Sequence, residues 1–527
     1  MKRANQNTSA RKFFGGVSVL TISALIVKVI GLLYRIPMLA YLGTEGMGYF
    51  NTAYELYALF CVIATAGLPV AMSVLISASV KDGQEAQDKA RRVFKVALMA
   101  FVIIGTVGAL LLYGFSDALA ALLKNSGAAA GMRMISPTVL LICLSSAFRG
   151  YFQGKRSMTP TAVSQVMEAL GKLLLGLTFA SMAQKRGCDL PTTAAYAVLG
   201  LTVGTGISVV YLWIHKIMLD RRESQTKLSR DRNADLDILI RLLVTAVPVT
   251  FGAAVMSVTK VVDLALILRR LQSVGYDEIA ANALYGCYST LVLPLFHMLP
   301  TLTTAVSLPT VPALSAALNE RTGEGMAQAK KITVSALRLT LVIAIPAALG
   351  MSVFSEDVLT LLFGAQPEAV AMATPWLTCV ALSVPMSCLI TVSGALLQGG
   401  GHAAKPVISL ICGTAVKVIL AYVLLGIPEV GMMGAPISTL ACDSVIVILN
   451  FCFIARLIPG LLPSGGKFLR LVAWPLVAGG GAVILVRIAR GWLGWQEITP
   501  IHTLGTVASV MCLYGAAVLF GVGRKRR

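Results

Sequence analysis

Charge is what this chain has least of. Only 13% of its 527 residues are Asp, Glu, Lys or Arg, where a soluble chain carries about 25%. Apolar residues make up 57%, and mean hydropathy is +0.80. Such a chain cannot cover itself with polar groups, so much of its solvent must be lipid. Disorder, coiled coil, collagen and secreted disulfide scaffolds are excluded by the same figures. Histidine is nearly absent, with four residues far apart. The ten cysteines show no CxxC or other ligand spacing and read as small packing residues. No metal site and no cofactor are expected. There is no Walker A loop, no nucleotide-binding glycine motif, no HExxH and no Ser/His/Asp arrangement. The chain is therefore expected not to be an enzyme, and not to be driven by ATP of its own.

What is abundant is long apolar runs. A bilayer span needs about 20 such residues, and about fourteen runs meet that measure. They lie near 13–42, 48–80, 93–115, 129–153, 159–183, 193–218, 238–268, 281–316, 333–355, 369–397, 404–426, 431–455, 469–490 and 501–522. The first is too long for a cleavable signal and reads as a span. The longest polar connection, 219–237, has no core-forming pattern and reads as a cytoplasmic linker.

The net charge is +20, from 44 Lys plus Arg against 24 Asp plus Glu. With the N-terminus inside, about 31 cations fall on inner segments and about eight on outer ones. They include Lys81–Lys95, Arg149, Lys155 and Arg156, the 219–241 stretch and the tail Arg524–Arg527. The outer stretch around Glu356, Asp357 and Glu368 holds no Lys or Arg. Both termini are thus expected on the cytoplasmic side of the membrane. The positive charge is topology, and nucleic acid is not an expected partner; membrane lipids are.

Five cations remain inside spans: Lys28, Arg35, Lys172, Lys260 and Lys417. A cation at a span centre costs about 2.5–3.5 kcal/mol on insertion scales. Lys28 and Arg35 could instead snorkel to the interface. All five doing so is a poor account, and a water-filled cavity lined with positive charge is the sharper one. Its ligand would be anionic.

Two stretches repeat. Gln153, Gly154, Ser164 and Lys172 match Gln398, Gly399, Ser409 and Lys417 at one offset of 245. Tyr54, Tyr57 and Pro69 match Tyr285, Tyr288 and Pro300 at an offset of 231. Spans one to six then correspond to spans seven to twelve, and two spans are added at the end. Each unit has an even number of spans, so the repeat is parallel, about an axis along the membrane normal. The predicted fold is an all-α polytopic membrane protein: a lobe over 1–218, the linker 219–237, a lobe over 238–457, and two further helices with a basic tail over 458–527. Two such lobes can rock and expose a central site alternately, with Lys172 and Lys417 as symmetry mates.

Acidic residues beside these cations are candidate partners. Glu168 stands four before Lys172, on one helix face and in the favourable order. The pair is either a static neutral one or a switch that opens when an anion competes for Lys172. Lys417 has Gly413 at the matching place. Lys260 and Asp263 could pair in the same way, as a working pair or at the rim. Arg269 and Arg270 follow them, as an outer gate or an exit for phosphate. Glu55 either pairs with Arg35 or Lys28, or binds a coupling proton or sodium ion; Asp443 is a weaker candidate for the same role. Prolines 37, 69, 248, 300, 309, 312, 346 and 385 interrupt spans and permit bends.

The string FRGYFQGKRSMTPTAVSQVMEALGK (Phe148–Lys172) resembles the signature of the polysaccharide-export and stage V sporulation protein B-like branch of the MOP flippase superfamily. That branch includes lipid II flippases of the MurJ type and is related to the MATE multidrug exporters. SALIVKVIGLLYRIPMLAYLGTEGMGYFNTAYELY from Ser23, ATAGLPVAMSVLIS from Ala64, DLALILRRLQSVG from Asp263 and LLQGGG from Leu396 extend the likeness along the chain. The resemblance implies fourteen helices in two lobes, a cationic cavity, and carriage of an undecaprenyl-pyrophosphate-linked sugar to the outer leaflet. It also implies membrane potential, H+ or Na+ as the drive, and cell-wall synthesis machinery as a partner. Lys28 and Arg35 fall where the family's first span meets pyrophosphate. Lys28 stands where Gram-negative relatives have Arg, and their second-span arginines have no counterpart in ALFCVIATAG. The alternative reading is a MATE-like cation-coupled multidrug exporter, which the basic spans argue against. A polyprenyl-linked glycosyltransferase is a third reading, disfavoured by short outer loops poor in acid and histidine.

Overall fold

Gly43 breaks the first long helix. In the computed structural model of the chain, which describes residues 2–79, 84–222, 232–320, 323–460, 465–492 and 499–523, helix α1 covers Lys2–Thr65 with a non-helical residue, Gly43 (φ 62, ψ −174), inside it. A positive φ suits glycine, which has no Cβ to clash. The apolar stretch Ile22–Ser77 runs for 56 residues, about 84 Å as one straight helix, against a bilayer core of about 30 Å. The break at Gly43 turns it into two spans, as the predicted limits 13–42 and 48–80 require.

The remaining helices are α2 (Leu68–Ser79), α3 (Gln84–Gly114), α4 (Ser116–Leu122), α5 (Ala128–Gly154), α6 (Thr159–Lys185), α7 (Leu190–Arg222), α8 (Arg232–Ser273) and α9 (Glu278–Cys287). A π-helical turn, Tyr288–Val292, joins α9 to α10 (Leu293–Asn319). Then follow α11 (Gly323–Val353), α12 (Ser355–Phe363), α13 (Pro367–Ala381), α14 (Val384–Gly399), α15 (Ala404–Leu424), α16 (Gly434–Leu457), α17 (Gly465–Trp492) and α18 (Pro500–Gly523). No strand occurs among the described residues. Among the described residues, eleven helices are long and apolar enough to cross a membrane, or twelve with α13 and α14, bent by 45°, taken as one span. Dividing the first at Gly43 and adding the shorter apolar helix Ile501–Ala517 makes this consistent with the fourteen expected. The expected second span is itself broken at Ala66–Gly67, and the eighth contains the π turn. The inner part of the linker (223–231) and the basic tail (524–527) lie outside the described residues.

Two compact units form. The first holds Met1–Arg269 with Asp277–Gly286; the second holds Arg270–Tyr276 with Cys287–Arg527. The repeat is a division of sequence and these units are a division by contact, so α8 groups with the first unit. Two consecutive arginines tie α3 to α7 and α8. Arg91 lies 3.9 Å from Asp220 at the end of α7, and Arg92 lies 2.6 Å from Asp235 at the start of α8. The core of the first unit gathers Met72, Ile76, Phe101, Tyr151 and Phe152; that of the second gathers Leu314, Val392, Leu396, Leu397 and Ile454. Large apolar side chains such as Leu110, Val244, Phe251 and Ile419 stay exposed, which suits a lipid-facing surface.

Small residues allow a close crossing of α6 and α7. A Cβ on Gly171 of α6 would come within 2.5 Å of Gly204 Cα on α7, and one on Gly200 within 2.2 Å of Gly176 N. The two backbones therefore touch, as glycine-lined membrane helices do.

The repeat has a structural counterpart. Helices α6 and α15 start at Thr159 and Ala404, again 245 apart, so Lys172 and Lys417 hold the same place in each. Just before them, α5 and α14 end in the same left-handed cap. Arg156 N donates to Gln153 O and Gly401 N to Gln398 O; Ser157 N donates to Phe152 O and His402 N to Leu397 O. Arg156 has φ 59 and Gly401 φ 77, the geometry of a helix C-terminal motif. The repeated Gln–Gly pair thus belongs to a helix ending. Gly154 also lets α5 close on Ile76 of α2, and Gly399 lets α14 close on Val311 of α10.

Candidate functional site

The first unit draws charged side chains from four of its spans together. Lys28 and Arg35 come from α1 before its break, Glu55 from α1 after it, Lys172 from α6, and Lys260 and Asp263 from α8. Each is within Coulombic reach of others in the group. Lys260 acts on Lys28. Lys260, Arg35 and Asp263 act on Glu55. Arg35 acts on Lys172. Tyr54, Glu55, Tyr285 and Tyr34 surround Arg35. Lys28 and Lys260 are exposed, while Arg35, Glu55, Lys172 and Asp263 are half-buried. Four cations against two carboxylates leave a local excess of positive charge. Glu55 has charged neighbours from other spans, among them Lys260, from a helix about 200 residues away in sequence.

Lys172 corrects the expected pairing. Its i, i−4 neighbour Glu168 is ion-paired to Arg149 of α5 at 2.8 Å, and Arg149 Nε also donates to Ser164 Oγ at 2.9 Å. Lys172 Nζ sits instead over three rings, 5.0 Å from the centroid of Tyr34, 5.6 Å from Phe50 and 4.5 Å from Tyr54. Helix spacing makes Glu168 a neighbour of Lys172, but a guanidinium in bonding geometry offers the carboxylate a stronger partner. By sequence Arg149 reads as an inner-loop cation, and the three rings carry no sequence signal beyond Tyr54 in the repeat.

In the second unit, Lys417 of α15 is not without acid either. Asp443 of α16 is buried, feels the charge of Lys417, and is in hydrogen-bonding reach of Ser387. Gly413 makes this possible, since a Cβ there would meet Ile446 Cγ1 at 2.3 Å. The acid that α15 lacks is supplied by its neighbour.

Arg269 and Arg270 are each engaged by a helix end. Arg269 donates from Nε to Leu122 O at the end of α4, at 2.7 Å, and Arg270 from Nε to Tyr422 O in the last turn of α15, at 2.9 Å. The Arg270 guanidinium also lies 4.2 Å from the Tyr422 ring centroid and rests on Gly426. Cations are favoured at helix C-termini, so these two act as caps in the structure, and the phosphate-exit reading finds no support in their contacts. Among the described residues no group of three His, Cys, Asp or Glu side chains could hold a metal.

Its many membrane-length helices make the chain a multi-pass membrane protein, with a partly buried basic cluster in one unit. The polysaccharide biosynthesis protein family model matches residues 13–317, and the MatE model matches 290–423. The chain belongs to the polysaccharide biosynthesis protein family. Its relatives include the lipid II flippase MurJ of Bacillus subtilis (strain 168), 26% identical over 86% of this chain and 82% of that protein. Stage V sporulation protein B of the same organism is 24% identical over 85% of this chain and 84% of its own. Among solved structures, lipid II flippase MurJ in an inward closed conformation superposes with a TM-score of 0.71 at 15% identity, over 96% of this chain and 99% of that one. An inward-facing MATE multidrug transporter of the MOP superfamily gives 0.61 at 17% identity, over 82% and 98%.

Proposed function

We propose that this chain carries an undecaprenyl-pyrophosphate-linked cell-wall or polysaccharide precursor, of the lipid II kind, from the inner to the outer leaflet by alternating access. The observation that carries the reading is the basic cluster of Lys28, Arg35, Lys172 and Lys260 in one unit, which outnumbers the carboxylates acting on it, Glu55, Asp263 and Glu168. A pyrophosphate is a compact anion that such a cluster can neutralise. Its sugar would occupy an aqueous path and its polyprenyl chain would remain in lipid. The name of one relative, the lipid II flippase MurJ of Bacillus subtilis, favours the same substrate class. Both termini would face the cytoplasm, following the charge asymmetry. Membrane potential, H+ or Na+ would drive the cycle, with Glu55 and Asp443 as candidate coupling groups. Cell-wall synthesis enzymes would supply or use the lipid.

The test is translocation of an undecaprenyl-pyrophosphate-linked sugar in proteoliposomes. R35A/K260A, checked for folding, should slow it at least ten-fold. Unchanged translocation by the double variant would overturn the role of the cluster. The second reading, a cation-coupled multidrug exporter, draws on the MatE match. It requires export of cationic dyes by the wild-type chain.

A further inference from the structure

The three rings around Lys172 form a box with a history of their own. Tyr34 and Phe50 are almost fully buried, at 1% and 3% exposure, whereas Tyr54 and Lys172 are half-buried. The box therefore opens on the side from which the lysine enters. The rings brace one another: Tyr34 and Phe50 have centroids 5.9 Å apart, and Phe50 and Tyr54 are 6.3 Å apart and within 8° of parallel. They belong to the two parts of α1, while the ammonium arrives from α6. The rings do not depend on the lysine for their support.

Aromatic faces are electronegative, and rings set around one point are the arrangement that holds quaternary ammonium ions. Here that point is taken by a side chain of the same protein. The nearby carboxylate that would otherwise claim the ammonium, Glu168, is held by Arg149. Lys172 thus owes its position to ring faces, and its removal would uncover them.

We propose that Lys172 is a specificity-determining residue. It occupies an aromatic cage built to the measure of an organic ammonium ion, and by filling it closes the chain to cationic substrates. The same fold could then serve anionic or cationic cargo according to whether the cage is filled from within. This deepens the reading of the site given above, but the ammonium-binding step needs no lipid substrate. Its failure is therefore separate from a failure of the flippase reading.

The experiment uses the full-length chain in detergent and titrates tetramethylammonium by calorimetry, with thermal unfolding to verify each variant. Lys172→Ala should bind tetramethylammonium at least ten-fold more tightly than wild type, and Lys172→Ser, run in parallel, should do the same. Lys172→Arg, which keeps the cage filled, should behave as wild type. Adding Tyr54→Leu to either small variant should remove the gain. Two results would overturn the proposal: folded alanine or serine variants that bind no better than wild type, or a gain that persists without the Tyr54 ring.

Discussion

Arg156 and Gly401 occupy the same place in the two repeats and share a left-handed backbone, with φ of 59° and 77°. Only one of them is a residue for which that conformation is free of strain. For a side chain with a Cβ, the left-handed region costs about 1–2 kcal/mol. Arg156→Gly should therefore raise stability by about 1 kcal/mol, since part of the gain is offset by the greater freedom of glycine in the unfolded chain. Gly401→Ala should lower it by a similar amount. Thermal unfolding in detergent reads both, and equal and opposite shifts in melting temperature are expected.

The ion pair of Arg149 and Glu168 is largely shielded, with side-chain exposures of 12% and 19%. Removing one partner leaves a charge with poor access to water, a loss of about 3 kcal/mol. Glu168→Ala should therefore destabilise strongly. Arg149→Met with Glu168→Met should cost much less than the two single changes added together. A double-mutant cycle on melting temperature checks this, and simple additivity would show that the pair contributes little.

The crossing of α6 and α7 leaves no room at Gly171. Its Cβ would meet backbone rather than a movable side chain, so the helices must part. Gly171→Val should abolish the monodisperse protein recovered on size-exclusion chromatography. Gly350→Ala, a helix position with nothing within 4 Å of the added Cβ, should express normally.

A polar seam joins α9 to the rest of the first unit. Asn125 Nδ2 donates to Asn282 Oδ1 at 2.8 Å and to Thr52 Oγ1 at 3.0 Å, and Asn282 Nδ2 donates to Glu45 O at 2.8 Å. All the side chains are buried except that of Glu45. Asn282→Leu deprives Asn125 and the Glu45 carbonyl of partners, at a cost of about 1–3 kcal/mol. Faster amide exchange over 278–286 is the expected outcome by hydrogen–deuterium mass spectrometry, and unchanged exchange there would count against the seam.

Much of this architecture was legible because lipid imposes a long apolar run wherever a helix crosses it. Gly43 fell between two such runs, and the chain does break there. The equal starts of α6 and α15 followed from the offset linking Lys172 to Lys417. Breaks inside a run were not legible: Gly67 and the π turn at Tyr288–Val292 leave hydropathy unchanged. In the site, the intramembrane cations stood out by their cost, and four of them gather in one unit. Their partners did not stand out. The i, i+4 rule sees one helix at a time, so it matched Glu168 to Lys172 and missed Arg149, which arrives from α5. It found no acid for Lys417, because Asp443 arrives from α16. The aromatic box escaped notice because Tyr34, Phe50 and Tyr54 read individually as ordinary apolar packing.

The π turn after α9 has a consequence for how side chains are arrayed along that helix. A π turn spends one extra residue per turn, and each residue of an α-helix advances the azimuth by about 100°. The stripe of residues that faces inward before Tyr288 is therefore rotated by about that angle relative to the stripe beyond Val292. A substitution scan down α9 and α10 would show two sensitive faces instead of one, with the phase stepping at Tyr288–Val292.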